Sequence, residues 1–310
     1  MNSQNSKYTT SFIIVIRSAG ERTADLCKKI ADTNIGEYQV HVINETPFEE
    51  ALRVSYDIGM NSEAEWLITI DADVIPREEF LNEISLLTKK VPEKLFTFKA
   101  MIYDKFFQKH RLAGFRVYRC SLLKEARSLV PENGKQIRPE QYTVNLMEKR
   151  GYRTKIFDYV VGLHDFEQFY EDIYRKAFFH ATKHPHLIAE NLPLWKKKSE
   201  FDDDFTVMMK GSVDGLLSSA KPTADINFFK ERAKNALEEL GIHEKKPVQL
   251  ILSKSIQEVL KKNGEFYKDY SLKAAKEKVG VYGYVNGLIH HLGYLLETTG
   301  SVIQKKIEGK

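Results

Sequence analysis

Cysteine is scarce in this chain, at two residues in 310. Both, Cys27 and Cys120, fall in segments that read as core. That excludes a disulfide framework and leads us to expect free thiols in a reducing, cytoplasmic compartment. No apolar run of about 18 residues occurs, so no helix is expected to span a bilayer. The first ten residues are polar, and no signal peptide is expected. Net charge is small: 47 basic and 43 acidic residues leave +4, which argues against a general nucleic-acid binder. Internal repeats and low-complexity tracts are missing as well. What is present is core-forming material, with 42% hydrophobic residues and 11% aromatics, enough for one large or two ordinary domains.

That material is organised around Trp66–Pro76, Trp-Leu-Ile-Thr-Ile-Asp-Ala-Asp-Val-Ile-Pro. Trp66–Ile70 reads as a short buried strand ending in two acids one residue apart, Asp71 and Asp73. Two strand–helix units precede it. Ser11–Ile16 is an unbroken apolar run, followed by a helix from about Thr23 to Ala31. Tyr38–Ile43 is a second strand, after which Thr46 and Pro47 open a helix reaching about Met60. A third helix is expected from Arg77 to about Lys89. This rhythm predicts an α/β fold with a mostly parallel, Rossmann-like sheet flanked by helices. Open sheets of that kind bind ligands beyond the carboxyl ends of their strands. Arg17 and Ser18, Asn44 and Glu45, and Asp71 and Asp73 are therefore expected along one rim.

The rhythm then changes. Leu95–Tyr103, Gly114–Tyr118, Tyr152–Phe157 and Val160–Leu163 read as strands. Leu122–Leu129, Arg138–Arg150 and Phe166–Thr182 read as helices. Residues 191–215, with Lys196–Lys198 and Asp202–Asp204, are expected to be rich in loops. Phe228–Leu240, Val248–Lys262 and Tyr282–Ile303 read as helices, giving an α/β domain over 1–185 and a mainly helical region over 186–310. The last helix has Tyr282, Val285, Ile289, Leu292, Leu296 and Ile303 along one side, suited to core or dimer packing or to a peripheral membrane contact.

Each candidate residue has two readings. Two carboxylates at a strand end suit a hard cation, yet Asp also favours turns and helix caps. His164 closes the apolar run Val160–Leu163 and by itself reads as an ordinary strand-end residue, a ligand only by resemblance to a known family. Glu45 and Glu140 stand at helix starts, where the dipole favours acids whatever else they do. Arg53 by itself reads as a surface arginine, and only resemblance to a known family gives it another part. His180, His184 and His186 have no metal-cage spacing and read as surface or packing residues.

In this order and with these gaps, the pieces resemble the nucleotide-sugar-binding GT-A core of family 2 glycosyltransferases. They are Ser11–Ile16, Phe48-Glu49-Glu50-Ala51-Leu52-Arg53, the Asp71-Ala72-Asp73 strand end, Arg138-Pro139-Glu140-Gln141-Tyr142 before a helix, Gly151-Tyr152-Arg153, and His164. The resemblance covers about the first 165 residues and none after about 185. It implies transfer of a sugar from a nucleotide-diphosphate donor, a UDP-sugar first, to a saccharide, lipid-linked or protein acceptor. Polysaccharide or glycoconjugate synthesis at the inner face of the cell membrane is the implied setting. It further implies Mn²⁺ or Mg²⁺ on Asp73 and His164, with Asp71 on the ribose or a metal-bound water. Arg17, Ser18, Glu45 and Arg53 would meet the nucleotide. The family's Glu-Asp pair appears here as Glu140-Gln141, which leaves Glu140 as the expected base, with Asp104 and Asp165 as alternatives. Three rivals remain. They are a haloacid-dehalogenase-type phosphatase with Asp71 as nucleophile and Asp73 as general acid, a nucleotidyltransferase, and an inactive GT-A binding module.

Overall fold

All six side chains of Phe12–Arg17 (β1) are buried, as a strand covered on both faces requires. A computed structural model describes residues 10–35, 39–89, 91–219 and 226–247. The expected helices Val248–Lys262 and Tyr282–Ile303, and any dimer or membrane contact through the latter, lie outside these residues. After β1 come Ala24–Ile35 (α1), Val40–Ile43 (β2), Phe48–Asn61 (α2), Trp66–Asp71 (β3), Val74–Pro76 (β4) and Phe80–Thr88 (α3). Leu95–Asp104 (β5), Lys109–Arg111 (β6) and Phe115–Arg119 (β7) follow, then Leu123–Ser128 (α4), Pro139–Lys149 (α5) and Arg153–His164 (β8). Tyr170–Lys183 (α6), Pro185–Lys198 (α7), Asp203–Leu217 (α8) and Ile226–Leu240 (α9) complete the described chain.

The strands form one sheet in the order β2-β1-β3-β7-β5-β8-β4, with β6 on β5. Alternate residues of β1 and β3 face opposite layers. Phe12, Ile14, Ile16, Ile68 and Ile70 join Cys27 of α1 and Phe80 of α3, while Ile13, Val15 and Leu67 join Leu52 and Tyr56 of α2. Cys27 is buried, Cys120 is half-buried, and both are free. Among the described residues no helix is long and apolar enough to cross a membrane.

The expected mostly parallel sheet is corrected to a mixed one. β1 pairs in parallel with β2 and β3, and β5 with β8. β3–β7, β5–β7, β5–β6 and β4–β8 are antiparallel. The reason lies in the connections. No crossover helix separates β5 from β7, and a short return can only pair antiparallel, while the two residues between β3 and β4 reverse the chain and bring β4 against β8. Three local expectations also change. The chain spends Val74–Pro76 on an edge strand before its third helix, which starts at Phe80. The two strands expected over 152–163 are one, broken in register against β5. Residues 191–215 are largely helical. Pro185 fits the first turn of α7, Lys196–Lys198 suit its negative end, and Asp202 caps α8 by accepting from Asp204 N–H at 3.0 Å.

Two glycine contacts set the site's frame. A Cβ on Gly162 of β8 would lie 2.5 Å from Ile75 O, so only glycine lets β4 pair there. A Cβ on Gly211 of α8 would lie 2.6 Å from Tyr174 O, so α8 and α6 approach backbone to backbone. Gly162→Val forces β4 off β8. We expect a loss of about 2 kcal/mol in urea unfolding, together with loss of any function that needs Asp73 in place.

Candidate active site

The register of two strand pairs assembles the site. β4 runs antiparallel to β8 with Val74 opposite His164, so the preceding Asp73 meets the following Asp165. The Asp165 N–H donates to Asp73 O at 3.2 Å. Asp165 takes a left-handed backbone, φ 62°, which Asp tolerates better than most residues. On the other side of β8, parallel β5 sets Asp104 opposite His164. His164 thus stands among three carboxylates. Nδ1 lies 3.1 Å from Asp104 Oδ2 and 3.0 Å from Asp165 Oδ2, and Nε2 lies 3.6 Å from Asp73 Oδ2.

Cations compensate the carboxylates. Lys176, on α6, donates to Asp73 Oδ2 at 2.5 Å and also ion-pairs with Asp165 Oδ1. Arg111 donates to the fully buried Asp104 at 2.6 Å. Burial alone would push the Asp73 and Asp165 carboxyls up, but Lys176 and His164 outweigh it and hold both well below the usual carboxylate range. Conversely, burial would lower His164 and Lys176. The facing Asp165 and Asp73 instead keep the imidazole and the ammonium charged well beyond their ordinary ranges. Glu21 sits close by, its carboxyl raised by burial and by Asp73, with Ser18 Oγ and Ala19 N–H donating to Oε2 at 2.9 and 2.8 Å.

A second ion cluster is built around Asp71, two residues before Asp73. β1 and β3 set Arg17 opposite Asp71, and two guanidinium nitrogens reach Asp71 Oδ1 at 2.8 Å. Arg17 Nη1 also donates to Glu140 Oε1 at 2.9 Å. Glu140 further accepts from Tyr118 Oη at 2.7 Å and ion-pairs with Arg116 at 3.3 Å. Burial would raise Glu140, but Arg116 and Arg17 hold it far below the usual carboxylate range. Asp71 is raised, by burial first, against the pull of Arg17.

The residues singled out in the sequence therefore separate. Asp73 and His164 meet, joined by Asp165. Asp71, Arg17 and Glu140 form their own network. Ser18 stands between them, its N–H donating to Ile43 O at 2.8 Å. Glu45 is exposed at the rim beyond β2. Arg53 is held by Glu50 at 2.7 Å and by Asn133 at 2.8 Å, and it also donates to Pro131 O. Asp202–Asp204 stand at the start of α8, where Asp202 and Asp204 pair with Lys105. Lys176 was not anticipated. Its only sequence signal is its place beside the buried positions Ile173 and Ala177 on one helix.

Donor chemistry limits what the first cluster can hold. One oxygen of Asp73, one nitrogen of His164 and one oxygen of Asp165 lie within 4.8 Å of one another. Asp73 Oδ1 is buried with no hydrogen-bond partner. An oxygen–nitrogen–oxygen set with an unsatisfied carboxylate oxygen suits a divalent ion of the Mn²⁺ or Mg²⁺ kind. Asp104, at 3.1 Å from Nδ1, would fix the imidazole with Nε2 toward that ion.

No family model matches the chain, and no curated protein matches it. Solved structures do resemble it. Mannosyltransferase PcManGT from Pyrobaculum calidifontis, in complex with GDP-Man and Mn²⁺, is 11% identical, with a TM-score of 0.40 over 82% of this chain and 81% of that one. A glycosyltransferase involved in the glycosylation of the major capsid of PBCV-1 is 14% identical, with a TM-score of 0.36 over 49% of this chain and 93% of that one. A CMP:2-keto-3-deoxy-manno-octonic acid synthetase complexed with CTP is also 14% identical, with a TM-score of 0.33 over 49% of this chain and 91% of that one. Glycosyl- and nucleotidyltransferases thus stand side by side among the similar structures, and at these scores the reaction has to be argued from the side chains.

Proposed function

We propose that this chain is a glycosyltransferase using a nucleotide-diphosphate sugar, with Mn²⁺ or Mg²⁺ held by Asp73, His164 and Asp165. The observation that supports this best is the convergence of those three donors where β3 and β8 end and β4 begins, with one buried carboxylate oxygen unpartnered. When bound, the ion supplies positive charge to the departing diphosphate. The chain's own residues do the rest. Asp104 orients His164 from behind, and Arg111 donates to the buried Asp104. Asp71 faces the nucleotide side, its carboxylate fixed by Arg17. Ser18 and the exposed Glu45 complete the rim that would meet ribose and base. Arg53 is spent on the 131–133 loop and has no part in this reading.

The phosphatase rival asks Asp71 to attack phosphorus. Two Arg17 nitrogens on one oxygen leave it a poor nucleophile, which favours the transferase. Glu140 is similarly ill placed for proton abstraction. An acid that accepts from Arg17 and Tyr118 and ion-pairs with Arg116 is stabilised as the anion and is therefore a weak base. We assign it the role of fixing Arg17 and Arg116 under the nucleotide rim.

Calorimetry with a panel of UDP- and GDP-sugars tests the donor reading. One donor should bind in the presence of Mn²⁺ and at least about tenfold more weakly without it or in Asp73→Asn. Binding indifferent to both, or phosphomonoester hydrolysis lost in Asp71→Asn, would refute the transferase. Glu140→Gln separates anchor from base. As an anchor its loss costs about 2 kcal/mol in urea unfolding, because two arginines keep only a neutral acceptor. A base would lose turnover at unchanged stability.

A further inference from the structure

We propose that Lys176 is a tethered counter-ion that competes with the divalent cation for Asp73 and Asp165. The inference rests on the metal reading above and adds a residue from outside the region of resemblance. Lys176 Nζ lies 2.5 Å from Asp73 Oδ2 and pairs with Asp165 Oδ1, two of the three groups of the donor set. An ammonium bridging two carboxylates stands where a cation shared by them would stand. Two positive charges at that separation in a mostly buried place repel strongly. The ion and the ammonium therefore cannot share the site, and each must exclude the other.

The backbone of Lys176 is fixed, and among the described residues its ammonium is held only by the two carboxylates at the end of a long stem. Ile173 and Ala177 are fully buried on either side of it along α6, and α6 is pressed against Gly211 of α8. The ammonium, by contrast, ends a flexible four-carbon stem, and the side chain retains 19% exposure. Lys176 can leave the carboxylates without moving its helix. The metal-free protein then never holds Asp73 and Asp165 unpaired, which would be strongly destabilising. The same pairing weakens the resting affinity for metal. Once displaced, the ammonium is released at the mouth of the site, where an anionic diphosphate oxygen is a suitable new partner.

Mn²⁺ binding to the whole chain, read from the electron paramagnetic resonance signal of free Mn²⁺, tests this without any donor or turnover. Lys176→Met should bind Mn²⁺ about tenfold or more tighter than the unsubstituted chain. Its Tm should be lower without metal and should rise more on adding Mn²⁺. Lys176→Gln should behave alike, and keeps the test decisive if the methionine variant does not fold. Equal or weaker binding in these variants, with Mn²⁺ still bound by the unsubstituted chain and lost in Asp73→Asn, overturns the competition and leaves the metal reading standing. No Mn²⁺ binding at millimolar concentration in any of the proteins overturns both.

Discussion

The antiparallel pairing of the three-residue β4 with the end of β8 is the constraint on which the site depends. Without it, Asp73 would follow β3 into an ordinary turn, as Asp often does. With it, Val74 is opposite His164, and two carboxylates from residues 92 positions apart in sequence are pressed together. Such a pairing is unfavourable by itself. Each charge taken from water into a buried place costs several kcal/mol unless it is paired. The surrounding cations are therefore a condition of the fold as much as of any chemistry. Asp73, Asp104 and Asp165 are met by His164, Arg111 and Lys176, so the cluster balances.

Asp71 and Asp73 are neighbours in sequence with different surroundings. β3 ends at Asp71, which stays in register with Arg17 of β1, while Asp73 has already turned toward β8. The consequence is electrostatic as well as geometric. Arg17 is shared between Asp71 and Glu140, so its charge is largely used inside the protein. Lys176 and His164 depress Asp73 far more effectively than Arg17 depresses Asp71, which burial keeps raised. Of the two acids, Asp73 has the buried, ionised and partly unsatisfied carboxylate a cation needs.

Much of this was legible in the sequence wherever the signal was a run. The buried strand Phe12–Arg17, the strand before Asp71, and α2 behind Pro47 all follow from local apolar pattern and helix-start chemistry. That Asp73 and His164 share one site was implied only by the family resemblance, and local pattern gives no sign of their closeness. What was not legible depends on pairing at a distance. β4 is three residues long, too short for a period, and only β8 and the bare backbone of Gly162 make it a strand. The sheet's mixed sense follows from connections whose length is visible but whose partners are not. α7 carries Pro193 inside it, a residue that normally argues against a helix interior. It is tolerated there because Trp195 and Ile188 anchor the helix, Trp195 being fully buried with Nε1 donating to Phe106 O at 2.8 Å.

Lys176 shows why a site of this kind is not contained in its strand-and-helix core. The helical layer is tied to the rim at several points. Trp195 bonds to the backbone after β5, Lys105 reaches Asp202 and Asp204 at the head of α8, and Arg22 reaches Glu167 at 2.5 Å before α6. These ties fix the distance between α6 and β8, and that distance lets a lysine stem span from helix to carboxylate. If α6 shifted outward by one helical rise, about 1.5 Å, the ammonium would no longer bridge both acids. The carboxylate pair and the helical layer are therefore coupled. Whatever occupies Asp73 and Asp165, metal or ammonium, bears on how firmly α6 is held, and through Gly211 and Gly215 on α8 behind it.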